Sequence, residues 1–471
     1  MRTIIINNNC PLWLLPLLAL CSPGQVFAEV PHYVVHIDKK LQTLQVEGRF
    51  SAPQRSISAR SRDASRYVSN IVDCETDKPL RTRGRHLVIS GDGITCLRYR
   101  VDLQKAARAD RRNANLSSEN VIASPAVWLY RPPDDAGTEV RFEIDPPMQV
   151  AVAWQPVNDK PGSYKISDAP GSSTSAAVFG RFTYAETLIP GALLRISIAS
   201  SSATGNTQEL IEWVRTAASH VALAYGEFPN ESPSVLLLPT ANASSRNSAV
   251  RFGRVVRDGG ESIELFVNPN VAMDEFYDDW TATHEFSHLL MPYLSPRHRW
   301  ISEGFAQYYQ NVLLSRAGQY SPERAWQEIV EGLDRGRNSS PNLSPNEASS
   351  GNWRASTMKV YWSGAALLLL ADIELRQRSN GSESLDTVLK KLKACCLPAA
   401  DMWNGIRLLE TLDSFVDEPV FMPLYHEHAN AAGFPDTDGA LRRLGVIREN
   451  GAVRLKDDAE LASLRQAITG G

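Results

Sequence analysis

Histidine and cysteine are scarce in this chain: nine and six among 471 residues. Neither sign of charge prevails, with 49 basic residues against 53 acidic ones and a net charge of -4. A chain so balanced exerts no global pull on nucleic acid, and no nucleic-acid partner is expected. No apolar run reaches the length of a bilayer-spanning helix. The stretch LLLLADI from Leu367 meets Asp372, Glu374 and Arg376 at once, so stable membrane insertion is not expected either. Internal repeats are absent. The cysteines lack zinc-ribbon spacing and are set aside as metal ligands. The remaining composition, 43% hydrophobic and 22% charged residues, is that of an ordinary globular protein.

The first residues have the layout of a secretory signal. MRTIIINNNC carries one basic residue, PLWLLPLLALC is a short apolar run, and QVFA ends on a small residue, which predicts cleavage after Ala28. Cys21 does not fit a lipid-attachment site, because Leu20 before it is bulky. The chain is thus expected to be exported, to the periplasm or the medium. Export permits disulfides. Of the four cysteines past the signal, Cys74 and Cys96 share a strand-rich segment and are predicted to bridge. Cys395 and Cys396 are adjacent and are not expected to bridge each other.

Composition divides the rest. From 29 to 203 the pattern is strand: HYVVHID, TLQVEG, HLVIS, CLRYRVDL, EVRFEI, QVAVAW and LLRISIA, separated by Pro, Gly and Ser. Short strands so spaced predict a β-sandwich-like domain. From 204 to 446 the texture changes. TQELIEWVRTAASHVALAYG reads as an amphipathic helix, SVLLLP and SIELFVNP as strands, and most of the later sequence as helix. RGRNSSPNLSPNEASSGN is expected to be a loop between two helices. Residues 447 to 471 form a short charged tail. The fold class is therefore α+β, in more than one domain.

The chemistry concentrates in TATHEFSHLLMPYLSPRHRWISEGFAQYYQN, from Thr281 to Asn311. In HEFSH, His284 and His288 are four apart, so on a helix both imidazoles face one ion. Zinc takes nitrogen and oxygen ligands and, in catalytic sites, leaves one position for water. Glu285, beside the first histidine, projects toward that open position as a general base. Pro292 ends the helix soon after. A third ligand must come from elsewhere, and RWISEGFAQYY offers Glu303 on the next helix, with Gln307 one turn on as an outer partner. The bland alternative is an amphipathic helix with solvated histidines. A second cluster, His426-Glu427-His428, fails because its histidines point apart on a helix. His32, His36 and His86 are scattered and read as structural.

HEFSH followed by WISEGFAQYY resembles the gluzincin metallopeptidases, the group of thermolysin and aminopeptidase N. VYWSGAALLLLADIELRQRSNGSESLDTVLKKL, from Val360, is similar to the glycyl aminopeptidase family, with its Y-x-x-G motif opening a long helix and an S-L-D segment after it. FPDTDGALRRLGV resembles the close of that family's catalytic domain. The resemblance implies a thermolysin-like catalytic domain, a mixed sheet plus a helical part, behind the β-rich domain. It implies one zinc ion held by His284, His288 and Glu303, with Glu285 as the base and Tyr361 as the donor to the oxyanion. Such a donor is needed because charge develops on that oxygen as water attacks.

Two departures from the family stand out. Its Gly-Gly-Leu-Glu-His segment, before the edge strand that runs beside substrate, looks shortened here to Gly259-Gly260-Glu261-Ser262 and IELFV. Gly259, Gly260, Glu261 and Glu264 become substrate-binding candidates, although Glu261 and Glu264 also read as exposed strand residues. The PDZ module that often follows the family's catalytic domain is expected to be missing. Arg246, Arg251, Arg254 and Arg257 read as a solvated basic loop, with recognition of acidic side chains or a C-terminal carboxylate as the sharper alternative. The expected partner is a peptide or protein substrate, cut from a chain end or internally. The shortened segment keeps a second function open: a zinc-bearing peptide- or protein-binding protein without turnover, recognising its partner through the β-rich half.

Overall fold

The computed structural model describes residues 31–109, 119–133, 137–167, 175–199, 207–239 and 248–470. The predicted signal segment and Arg246 lie outside these residues. The first domain is built on an eight-stranded sheet. At its centre His32–Ile37 runs antiparallel to Thr43–Gln54 and parallel to Glu139–Glu143. Alternation sets the faces: Tyr33, Val35 and Ile37 are buried while His32 and His36 are exposed. A three-stranded sheet of Gln149–Ala151, Val178–Gly180 and Asn120–Ile122 covers it. Between them sits an aromatic cluster in which Trp128, Phe142, Trp154 and Phe179 meet at centroid distances of 6.0–6.3 Å. The sandwich-like expectation is met in kind.

The boundary is not where residue 203 put it. Thr183–Ile189 and Ala192–Ile198 belong to a second, five-stranded sheet. Its order continues with Ser234–Pro239, Glu261–Val267 and Val250–Arg257. Ala192–Ile198 pairs in parallel with Ser234–Pro239, and the helix Thr207–Ala222 makes the crossover. The first domain therefore ends near residue 181. Local strand pattern reveals that a segment is extended, not which sheet it joins.

Helices cover this sheet and form most of the remainder of the second unit. The pair that matters most is Arg299–Arg316 and Thr357–Arg378. They cross backbone to backbone at Gly304 and Gly364, where a Cβ on either would run into the other helix. The segment expected to be a bare loop instead holds the helix Pro345–Ser350, started by a capping box from Ser344 and Glu347. The tail is part of the same core: the hairpin Val446–Glu449/Ala452–Leu455 and the helix Ala462–Thr469 bury Val453 and Ile468. Cys74 and Cys96 are bridged as predicted. Cys395 and Cys396 are bridged too, against expectation. Among the described residues no helix is long and apolar enough to cross a membrane.

Candidate active site

The helix Thr281–Ser287 carries His284 and Glu285, and a 3-10 turn over His288–Leu290 continues it. Its apolar side anchors it: Phe286 is fully buried against Phe228, with ring centroids 5.8 Å apart. That leaves the imidazoles of His284 and His288 on the opposite side, 5.0 Å apart. Glu303 reaches them from the next helix. Its Oε2 lies 3.5 Å from His284 Nε2 and 3.4 Å from His288 Nε2. Ligand atoms of a tetrahedral zinc site lie about 3.3 Å from one another, so the spacing suits the ion. Glu303 Oε2 is buried with no hydrogen-bond partner, an orphan that a cation would satisfy. The three side chains fit zinc.

Outer contacts orient the rings. His284 Nδ1 lies 2.8 Å from Gln310 Oε1, so the ring donates there and presents Nε2 toward Glu303. Gln310, not Gln307, plays this part; Gln307 lends its backbone carbonyl to Asn311. His288 Nδ1 is 3.3 Å from Ser302 Oγ. Burial by itself would raise the Glu303 pKa, but the two histidines outweigh it and hold the carboxyl well below the usual range. Glu285 goes the other way: burial pushes its pKa up, only partly offset by His284 and His288.

A cleft of about 250 Å³ opens over the cluster, lined by Gly253, Arg254, Glu285, His288, Glu303 and Tyr361, among others. The long helix places Tyr361 there, its ring stacked on His284 at 5.8 Å and 8°. Burial raises the phenol's pKa, and the carboxylates of Glu303 and Glu285 raise it further, so Tyr361 keeps its proton. The Gly304–Gly364 crossing is what brings Glu303 and Tyr361 together, since each lies within one turn of a crossing glycine.

The other four candidates are elsewhere. Val250–Arg257 is the edge strand, and Glu261–Val267 is interior. Gly259 and Gly260 therefore form the turn after the edge strand and lie outside the cleft. This turn packs on the first domain: Gly259 has φ +74°, and a Cβ on Gly260 would strike the Ala153 carbonyl. Glu264 is fully buried, accepting from Arg254 Nε at 2.7 Å and Ala176 N at 2.9 Å. Glu261 accepts from Arg257 Nε at 2.8 Å. Neither is an exposed strand residue, and neither faces the cleft. Arg254 and Arg257 are likewise not a solvated loop. Sequence reasoning missed Gly253. A Cβ there would lie 2.5 Å from Glu285 Cγ, so only glycine lets the Glu285 side chain lie against the edge strand. His426 and Glu427 are exposed, as expected, whereas His428 is half-buried.

The family model of M61 glycyl aminopeptidase matches residues 292–366, a span that holds both Glu303 and Tyr361. No curated protein matches the chain. Among solved structures, an aminopeptidase N family protein from Idiomarina loihiensis is similar over 89% of this chain and 79% of its own, at 14% identity and TM-score 0.64. An M1 zinc metallopeptidase from Deinococcus radiodurans is similar over 86% and 93%, at 13% identity and TM-score 0.51. Yeast LTA4 hydrolase is similar over 86% and 68%, at 13% identity and TM-score 0.51. At such identities the likeness is one of fold: a β-rich domain followed by a mixed-sheet and helical unit. The chain thus combines a fold similar to that of these metallopeptidases with a segment matching a peptidase family model.

Proposed function

We propose that this chain is an exported zinc-dependent metallopeptidase that hydrolyses peptide bonds in its cleft. The observation that carries the proposal is the convergence of His284, His288 and Glu303 between a buried carboxylate and a protonated tyrosine. Bound there, zinc supplies a Lewis acid and makes water acidic enough to attack at neutral pH. Glu285 takes the proton from the attacking water and delivers it to the leaving amine. Its raised pKa suits both halves of that task. Tyr361 donates a hydrogen bond to the oxygen on which charge develops.

The substrate backbone lies along Val250–Arg257, which pairs on one side only among the described residues. Export is supported by the signal-like pattern over residues 1–28 and by the two disulfides. The test is a mass-spectrometric cleavage profile on a peptide library. Cleavage that stops with a chelator and returns with zinc is expected. Glu285→Gln should lower kcat by roughly 10²–10⁴-fold. Full activity in that variant would remove the mechanism, and tight zinc binding without any cleavage would favour a binding protein.

A further inference from the structure

Three arginines line the cleft: Arg254, Arg257 and Arg299. Two are already spent. Arg254 is bound to the buried Glu264. Arg257 pairs with Glu261 and donates to the carbonyls of His288 at 2.9 Å and Met291 at 3.2 Å. Arg299 differs. Among the described residues it takes part in no ion pair, and its guanidinium lies over the Trp353 ring, 4.3 Å from the centroid. Arg354 approaches the same indole at 5.7 Å but does not line the cleft.

Position makes the difference meaningful. Arg299 and Glu303 are four apart on one helix, so both side chains lie on the same face. Its charge also acts on Tyr361, opposing the rise that burial and the carboxylates impose on that phenol. A half-buried cation resting over an indole, with no ion-pair partner among the described residues, is pre-organised for a planar anion.

Resting on the peptidase reading, we propose that Arg299 is the specificity determinant of a carboxylate subsite next to the scissile bond. It binds a substrate carboxylate through its paired N–H groups while Trp353 holds the guanidinium plane. Two sources offer that chemistry: an acidic side chain, or the free C-terminus of a short peptide.

The test reads binding apart from turnover. Zinc-loaded Glu285→Gln protein is titrated calorimetrically with two pairs of probes: Ala-Ala-Glu-amide against Ala-Ala-Gln-amide, and Ala-Ala against Ala-Ala-amide. The first pair reads the side chain and the second the terminus. A carboxylate preference of about tenfold or more is expected in one pair. Arg299→Met, which keeps an apolar stem on Trp353, should bring that ratio close to one, while Arg299→Lys should retain part of it. Unchanged thermal midpoints show that the variants fold. Equal binding within both pairs, a preference that survives Arg299→Met, or no binding of any probe overturns the proposal. The same pairs are then offered to the wild-type enzyme. Selective binding with no cleavage would overturn the peptidase reading and leave the subsite standing.

Discussion

Replacing Gly253 with alanine tests the central geometry without touching a metal ligand. The new methyl carbon would sit 2.5 Å from Glu285 Cγ, 2.9 Å from Oε1 and 3.0 Å from Cδ. Carbon atoms in contact rest at about 3.5–4.0 Å, so strand and side chain must separate by about 1 Å. Among the described residues the strand is paired on one side only, and the Glu285 carboxyl turns about its own bonds, so the clash is relieved by displacing Glu285 or the strand beside it. A misplacement of that size costs roughly 10²-fold in rate. The three atoms nearest the new methyl all belong to the Glu285 side chain, and none belongs to His284, His288 or Glu303. The expected result is a kcat lower by about two orders of magnitude, with one zinc per chain still bound. The assay is kcat on a peptide the wild type cleaves, beside zinc content by atomic emission on the same sample. Wild-type kcat at equal zinc content would refute the placement of Glu285 against the strand. A parallel loss of zinc would refute the separation between base and metal.

Gln310→Leu removes the acceptor that fixes the His284 ring, and zinc affinity by competition with a chelator should fall roughly 10–100-fold. Gly304→Val drives a branched side chain into the backbone at Gly364, so the thermal midpoint should drop and activity with it; an unchanged midpoint would show that the helices do not cross there. His220 is buried with Nδ1 unpaired, and burial lowers its pKa from 6.5 to about 4. Its neutral form is favoured by folding, so stability is complete above pH 6.5 and is lost as pH falls toward 4. His220→Leu should remove that slope, a relative gain of about 3 kcal/mol at pH 4 in denaturant titrations. Parallel pH profiles for the two proteins would count against it.

Local chemistry was readable and non-local pairing was not. HEFSH and SEGF announce their helices and faces, because helical period fixes what lies four residues away. Tyr361 needed a family resemblance, since nothing in its own neighbourhood tells it from other buried tyrosines. Gln307 and Gln310 both come after Glu303 at helical spacing, and only the direction of the His284 ring chooses between them. IELFV reads as a strand wherever it lies in a sheet. Its interior place comes from pairing with Ser234–Pro239 on one side and Val250–Arg257 on the other, and no local pattern encodes that order. The Cys395–Cys396 bridge also ran against expectation: adjacency made it look improbable and did not prevent it.

The carboxylates that sequence put on the substrate have a different task, one on which the site depends. Arg254 pairs across the hairpin with Glu264, and Arg257 with Glu261, each in direct register. Phe252 opposes Phe266, their rings 5.7 Å apart. Buried ion pairs contribute little net stability, but a wrong register would leave each charge buried and alone, at a cost of several kcal/mol. These pairs therefore hold the hairpin to one alignment. A slip of one residue turns every side chain to the opposite face. Gly253 would then leave Glu285, and Phe252 or Arg254 would take its place, with no room for the base. The turn is fixed from the other end as well: Asp258 pairs with Arg60, its carbonyl accepts from Trp154 Nε1 at 3.0 Å, and the Gly259 carbonyl accepts from Ser167 N at 2.8 Å. Arg60, Trp154 and Ser167 all come from the first domain. The β-rich half thus holds the strand against which Glu285 lies, and its contribution to the proposed catalysis is one of register.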